Sequence, residues 1–575
     1  MSGRSIVIHG HFYQPPREDP WLDEVPAEPS PAPFHDWNER IERECYRAVV
    51  AARLHAPPPS GRITAIVNTL TSLSYDFGPT LLQWLERQAP PTYAAVLEAD
   101  RVSRVRHGGH GNAIAIPYHH AILPLASHRD KVTEVRWGIA DFRRRFGRDP
   151  VGMWLPETAV DPETLDVLAA EGIAFTILAP HQVARAPQGG WPGWYRTPGG
   201  RSIALFVYDG AISHDVAFGP LLQDAARWAE RLLAVEPGPR GSGLVAVATD
   251  GETYGHHHRF GDVALAWLLQ DLERRRGVRV ENFSAFLARH PAQQEVQLVA
   301  RTSWSCPHGV ERWRSNCGCR LAPERATQQR WRAPLRAALE WLAGELATRF
   351  EREGTELLGD PWATRDAYGA VVSDRARLDR FLAEHLRHPG DARAVTRARE
   401  LLELERHALR MFTSCGWFFD DIAGIEAVQV LRYAARAIEL AGPDAARLEA
   451  GVLERLARAE SNDPAAGSGR DVYLSRAKPR RPAEARSQQG SHVADPAERT
   501  AQELSRAVAA LERDHSPRAA AAVAELAERV QRDGGHIPFD AQTMFYRIRA
   551  AAPPERAALL APIAWRLGFA DGGDD

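Results

Sequence analysis

Short apolar runs alternate with amphipathic stretches through the first 300 residues, the pattern of repeated β-α units. Runs at 5–9, 63–68, 114–117, 151–155, 175–178 and 244–249 predict strands. The last of these, LVAVAT, lacks polar alternation and suits a parallel strand buried on both faces. Amphipathic stretches at 39–54, 80–98, 131–146 and 161–171 predict the helices between them. Residues 194–208 differ: two alternating runs flank Pro198-Gly199-Gly200, which predicts a β-hairpin. Roughly seven or eight strands with intervening helices point to a barrel, closed or incomplete, with an open doubly wound sheet as the alternative.

From about residue 322 the period changes. Leu335, Leu339, Leu342 and Leu346 recur at three- and four-residue steps, one face of a helix, and 402–412 and 422–440 continue in that style. A helical bundle beside the barrel is expected. Residues 461–498 are rich in Pro, Gly, Ser, Ala and charge and read mostly as a flexible linker. Helical patterning returns beyond it, for example at 519–530. The expected division is a catalytic α/β barrel at 1–300, a helical domain at 301–458, a linker at 459–498 and a helical segment at 499–575.

Composition narrows the function classes. The chain has 575 residues and a net charge of -3, which gives no sign of nucleic-acid or membrane binding. No apolar run approaches a membrane span, and MSGRSIVIHGH enters a strand without a signal-peptide core, so the cytoplasm is the expected location. Five cysteines argue against a disulfide framework. Among 71 Lys and Arg only Lys131 and Lys478 are lysine, and neither sits in a motif, so Schiff-base chemistry is not expected. No cofactor is expected.

Two acidic segments follow apolar runs: VGMWLPETAVDPETL carries Glu157, and LVAVATDGETYGHHH carries Asp250 and Glu252. Loops at the carboxyl ends of strands build the active sites of α/β sheets and barrels. Two carboxylates delivered there from separate strands suit glycoside cleavage, one attacking and one donating a proton. Either acid alone would read as a helix cap or a rim ion-pair partner.

The opening strand runs into HGHFYQPPREDPW. His9 and His11 are two apart and share a strand face, Gln14 lies just beyond, and Trp21 closes the segment with a ring suited to sugar stacking. The imidazoles and amide can bond sugar hydroxyls, hold zinc, or simply bond to backbone. In GHGNAIAIPYHHAILPLAS, one of His119 and His120 is expected to face the site.

The order HGHFYQPP, PYHHAILPL, WLPE, DGETYGHH resembles glycoside hydrolase family 57. The segments SWSCPHGVERW and MFTSCGWFFDDIAGIE resemble its branch with an uncharacterised helical C-terminal region. The resemblance covers about residues 1–440 and implies an incomplete (β/α)7 barrel, an attached helical domain with loops reaching the site, and a retaining mechanism on α-glucans. By residue match it implies Glu157 as nucleophile and Asp250 as acid/base. His11, Gln14 and His120 would contact substrate near the cleavage point, and Trp154 would lie beside the nucleophile. Hydrolases and transferases both occur in the family.

For Asp250 to begin protonated, burial or a nearby negative charge must raise its pKa, and Glu252 is a candidate source of that charge. Glu252 could take the acid role instead if the strand continued through Gly251; a turn expected there favours Asp250. Cys306, His308, Cys317 and Cys319 match no ordinary zinc spacing, so reduced thiols in a loop over the site are expected, with no metal. Trp304 and His308 are then candidate substrate contacts, with Trp313 also available for stacking. Trp417, Asp420 and Asp421 stand at a predicted helix start, where aspartates cap; Trp417 and Asp420 are further candidates for a sugar subsite. Two rival readings remain open: a zinc-dependent deacetylase or α-mannosidase-like hydrolase using His9, His11 and an acid or His120, and a glycan-binding protein without turnover. An oligo- or polysaccharide partner is expected in every case.

Overall fold

The computed structural model describes residues 4–236, 238, 243–275, 277–478 and 496–570. Among these the strands in chain order are β1 (Arg4–Phe12), β2 (Ala52–His55), β3 (Ile63–Val67), β4 (Ser74–Phe77), β5 (Phe175–Leu178), β6 (Gly193–Arg196), β7 (Ser202–Val207), β8 (Gly243–Asp250), β9 (Val278–Val280) and β10 (Gln294–Glu295). Strand β1 lies between β4 and β8, parallel to both, and β9 pairs with its first residues. The wall continues through parallel bridges from Tyr75 to Ala113, Ala115 to Met153 and Gly152 to Phe175, then through β5 paired with β7. Seven staves result: β8, β1, β4, residues 113–116, residues 151–154, β5 and β7. Between β7 and β8 the described residues form no ladder; Asp209 N–H donates to Ala246 O at 2.7 Å across that seam. The fold is therefore an incomplete barrel with a helical region attached.

Strand alternation decides what enters the barrel. Val7, Ile114, Ile116, Trp154, Ile177, Phe206, Ala246 and Ala248 share one buried cluster with Phe283 and Phe286. Ile6, Ile8, Tyr75, Ala113, Ala115, Val245 and Val247 belong to a second cluster that includes the surrounding helices. His9 and His11 therefore follow Val7 on the interior face of β1, and Asp250 follows Ala246 and Ala248 on β8. Apolar side chains close the barrel below and polar ones gather at its carboxyl end.

Two sequence expectations change here. The apolar run at 63–68 is not a stave: β3 pairs antiparallel with β2, and its half-exposed burial pattern suits such a ribbon. The stave is β4, SYDF, four residues that are all buried. The helix expected over 80–98 is two helices, Pro79–Gln88 and Pro90–Arg106, because Pro90 and Pro91 cannot continue the hydrogen-bond ladder of the first. The hairpin is present as antiparallel β6 and β7, with Gly200 at φ +80° in its turn.

The helix Arg332–Leu357 buries Leu335, Leu339, Leu342 and Leu346 against Ile425–Leu440 and Ala445–Leu456. The chain expected to be linker does not leave this core at 459. Val472, Tyr473 and Ala477 are buried in it, and only 479–495 of that stretch lie outside the described residues. The helices Pro496–Arg513, Pro517–Arg532, Phe539–Ala551 and Pro554–Arg566 form a separate core that includes Ile63 of β3. Phe569 bridges to Ile63, and the Arg53 guanidinium lies 3.1 Å from the Phe539 ring centroid, so this unit docks on the β2–β3 ribbon. No described helix is long and apolar enough to cross a membrane.

Candidate active site

Parallel register sets the centre of the site. His11 is the Cα partner of Asp76 on one side and of Asp250 on the other, so three titratable side chains meet at one level. His9 Nε2 lies 3.1 Å from Asp76 Oδ1 and His11 Nδ1 2.8 Å from Oδ2, each imidazole bonded to one carboxylate oxygen. Burial alone would raise the Asp76 pKa; the charge on His11 and the two imidazole bonds outweigh it and hold Asp76 below the usual carboxylate range. Burial likewise disfavours charge on His11, but the Asp76 carboxylate prevails and raises its pKa to about 9. His120 is pushed well below the ordinary histidine value by burial and by the His11 charge. A charged His11 beside a neutral His120 fixes the tautomers. His11 Nε2–H donates to His120 Nε2 at 3.1 Å, and His120 Nδ1–H donates to Ser414 Oγ at 2.6 Å.

Flat rings stiffen this chain. Tyr13 stacks on His120 at 3.7 Å between centroids, and Trp154 stacks beneath both His9 (4.8 Å) and His11 (5.2 Å). His119 points elsewhere, its Nδ1 2.8 Å from Glu134.

Glu157 reaches the site through an unusual backbone. It and Thr158 lie at φ +57° and +50°, in the left-handed region that L-residues avoid at a cost of about 1–2 kcal/mol each. Trp304 Nε1–H (3.1 Å) and Ser305 Oγ–H (2.5 Å) both donate to Glu157 Oε2, and Trp304 N–H donates to the Glu157 carbonyl at 3.0 Å.

Asp250 ends β8, and a tight turn Gly251–Tyr254 begins at once, as expected from the glycine. A Cβ on Gly251 would meet the Phe12 ring at 2.2 Å, so only glycine lets the chain pass. The turn sends Glu252 into the wall, where Tyr46 O–H makes a short bond to Oε1 and Tyr13 N–H donates to the same atom at 3.1 Å. Asp250 itself remains exposed.

Both acids are raised, Asp250 by burial as its expected role requires. Loss of hydration is the largest cause raising Asp250 to about 6; the His11 charge opposes it, and Glu157 and Asp76 add to it. Glu252 is not the source of that push. It is itself raised to about 7, by burial and then by the Asp250 charge, so the repulsion between these two acids acts on Glu252. An unfolded glutamate ionises near 4.3, so folding stability falls as pH rises from about 4.3 to about 7 through this group. Glu252→Gln is expected to stabilise the protein by about 2–3 kcal/mol at pH 8 and not at pH 4. Urea midpoints measured at both values check this; equal shifts at the two would assign the effect elsewhere.

Several expected substrate contacts are instead engaged with protein groups. His9 and Trp154 are fully buried beneath His11 and hold it from below. Trp417 is fully buried in the helical core, its Nε1–H donating to Arg332 O at 3.3 Å. Asp420 accepts from the N–H groups of Leu321 and Ala322 and shapes a loop. Trp21 is on the helical region, donating to Glu439 at 2.5 Å, and Gln14 is half-buried, 3.4 Å from Arg17 Nη2. His308 is exposed beside Cys319. Asp76, Tyr13, Tyr46, Ser305 and Ser414 bond or stack on the candidate residues without being among those expected from the sequence. Asp76 alone carried a signal, a charge inside the apolar run LSYDFG.

Residues 68–299 match the profile of glycosyl hydrolase family 57, and residues 328–521 match a domain of unknown function, DUF3536. Residues 68–299 are thereby assigned to glycosyl hydrolase family 57. The chain shares 23% identity over 183 residues with a 4-alpha-glucanotransferase of Thermococcus litoralis, covering 31% of this chain and 26% of that protein. It shares 25% over 145 residues with an alpha-amylase of Pyrococcus horikoshii, covering 24% of this chain and 22% of that protein. The chain thus spans about a quarter of the length of these relatives. An exo-type maltose-forming amylase from Pyrococcus sp. ST04 has a similar fold, with a TM-score of 0.61 and 16% identity over 79% of this chain and 83% of that one.

Proposed function

We propose that this protein is a retaining α-glucan-active glycosidase or transglycosidase in which Glu157 attacks and Asp250 supplies the proton. One arrangement carries the reading: Asp250 ends β8 level with His11, and Trp304, which donates to Glu157 Oε2, lies 6.4 Å from the His11 ring, so carboxyl groups from two separate staves gather at one end of the barrel. In the first step Asp250 gives its proton to the glycosidic oxygen while Glu157 attacks the anomeric carbon and forms a glycosyl ester. Asp250, now a carboxylate, then takes a proton from water or from a glucan hydroxyl as that oxygen displaces Glu157. The two donors on Glu157 hold Oε2 and leave Oε1 for attack. The charged His11 beside Asp250 favours the carboxylate needed in the second step.

Relatives named as a glucanotransferase and an amylase support an α-glucan substrate. Incubation with maltooligosaccharides, amylose and glycogen tests the proposal. Longer oligosaccharides indicate transfer, and new reducing ends alone indicate hydrolysis. Binding with no product from any of them would leave a glycan-binding protein and overturn the enzymatic reading. The zinc-dependent alternative is disfavoured at His9 and His11, because all four of their ring nitrogens already face Ser74, Asp76 or His120.

A further inference from the structure

Residues 303–331 join the barrel to the helical region with a single short turn, Glu311–Trp313, as their regular structure. Loops of that length inside a folded domain need another source of order. Three of the five cysteines lie here, and all five are unbonded. With His308 they converge: one ligand atom each from Cys306, His308, Cys317 and Cys319 lie within 4.8 Å of one another. Cys306 Sγ is 3.8 Å from Cys319 Sγ, which is 3.6 Å from His308 Nδ1. A tetrahedral zinc with Zn–S near 2.3 Å and Zn–N near 2.05 Å has S···S edges of about 3.8 Å and S···N edges of about 3.6 Å. These two separations match those edges, and the remaining pairs lie within 4.8 Å.

We propose that Cys306, His308, Cys317 and Cys319 bind one zinc ion in a closed Cys3His site. Four protein ligands leave no open position, so the site is structural. Its pairs, Cys-x-His and Cys-x-Cys, do not follow the spacing of a ribbon or finger because the fold, rather than a local hairpin, brings them together. Three thiolates on a divalent ion leave one negative charge, and Arg332 Nη1–H points at Cys317 Sγ from 3.6 Å to offset it. The site also ties two regions. Cys306 packs in the helical core, and the residue before it, Ser305, donates to Glu157 of the barrel. Arg312 bonds the Ser305 carbonyl at 3.1 Å and the Phe418 carbonyl at 3.1 Å, across the same junction.

The test uses the full chain, purified untagged and without chelator from medium containing zinc and iron. Elemental analysis is expected to find about one zinc per chain. Less than about 0.2 zinc, or iron in its place, overturns the assignment, as does a Cys306–Cys319 disulfide in peptide mass spectra of fresh protein. Cys317→Ser and Cys319→Ser are each expected to lose the zinc, and zinc retained by both variants overturns the ligand set. Because either variant can fold poorly, the wild-type chain provides a second measurement. Exchange of zinc for cobalt(II) is expected to give the intense visible bands of a tetrahedral ion and a sulfur charge-transfer band; a weak octahedral spectrum overturns the proposal. None of these readouts depends on glucan turnover, so they succeed or fail independently of the proposed activity.

Discussion

Glu157→Ala abolishes turnover on any glucan the protein cleaves, with a loss of roughly 10⁴-fold or more, the scale on which removal of a covalent nucleophile is felt. The fold is expected to survive. Glu157 is half-exposed, and its substitution strands only the donors Trp304 Nε1–H and Ser305 Oγ–H, which water can satisfy. The alanine inherits the strained φ of +57°, so any loss of stability should be small beside the loss of rate. The decisive result is rescue. With the carboxylate gone, azide can occupy the space it leaves and attack the anomeric carbon from the same side. An activated α-glucoside is then expected to yield the β-glucosyl azide. Recovery of rate without that product would mean that azide acts as a base, and Glu157 would lose the nucleophile role. Near-normal turnover by Glu157→Ala would remove the role outright.

Much of this arrangement was legible in the linear chain, for identifiable reasons. LVAVATDGE announces its strand because a stave buried on both faces must be apolar throughout, and the turn after Asp250 is visible in Gly251. The pairing of His9 with His11 follows from the period of two. Their partner does not. Asp76 sits in a stave of four residues, too short for periodicity to reveal, and it meets the histidines only through register. Trp417 shows the opposite difficulty. An apolar ring that packs a helical core and one that stacks on sugar have the same local sequence, and only burial separates them. Ser305 and Ser414 carry no signal at all, since a hydroxyl on a loop acquires a role only from what the fold places beside it. The thiols were visible, but their convergence was not, because the residues between Cys306 and Cys319 give no motif from which to infer it.

The pH dependence of kcat/KM should locate Asp250. A proton donor must hold its proton when substrate arrives, and the Asp250 pKa is raised to about 6, so the rate should fall as pH rises through about 6. Glu252, raised to about 7, titrates close by, and the two are distinguished by substitution rather than by the wild-type curve. Asp250→Asn is expected to lower kcat/KM by about 10²–10⁴-fold for substrates with a poor leaving group and to lose the alkaline limb. Glucosides with an acidic phenol as leaving group need little protonation, so their first step should be nearly unaffected, and the glycosyl ester should accumulate because its breakdown lacks a base. Glu252→Gln should keep the limb and most of the rate, since Glu252 is turned into the wall against Tyr46 and Tyr13. The reverse pattern, with the limb lost in Glu252→Gln and kept in Asp250→Asn, would transfer the proton-donor role to Glu252 and require the turn at Gly251 to open when glucan binds.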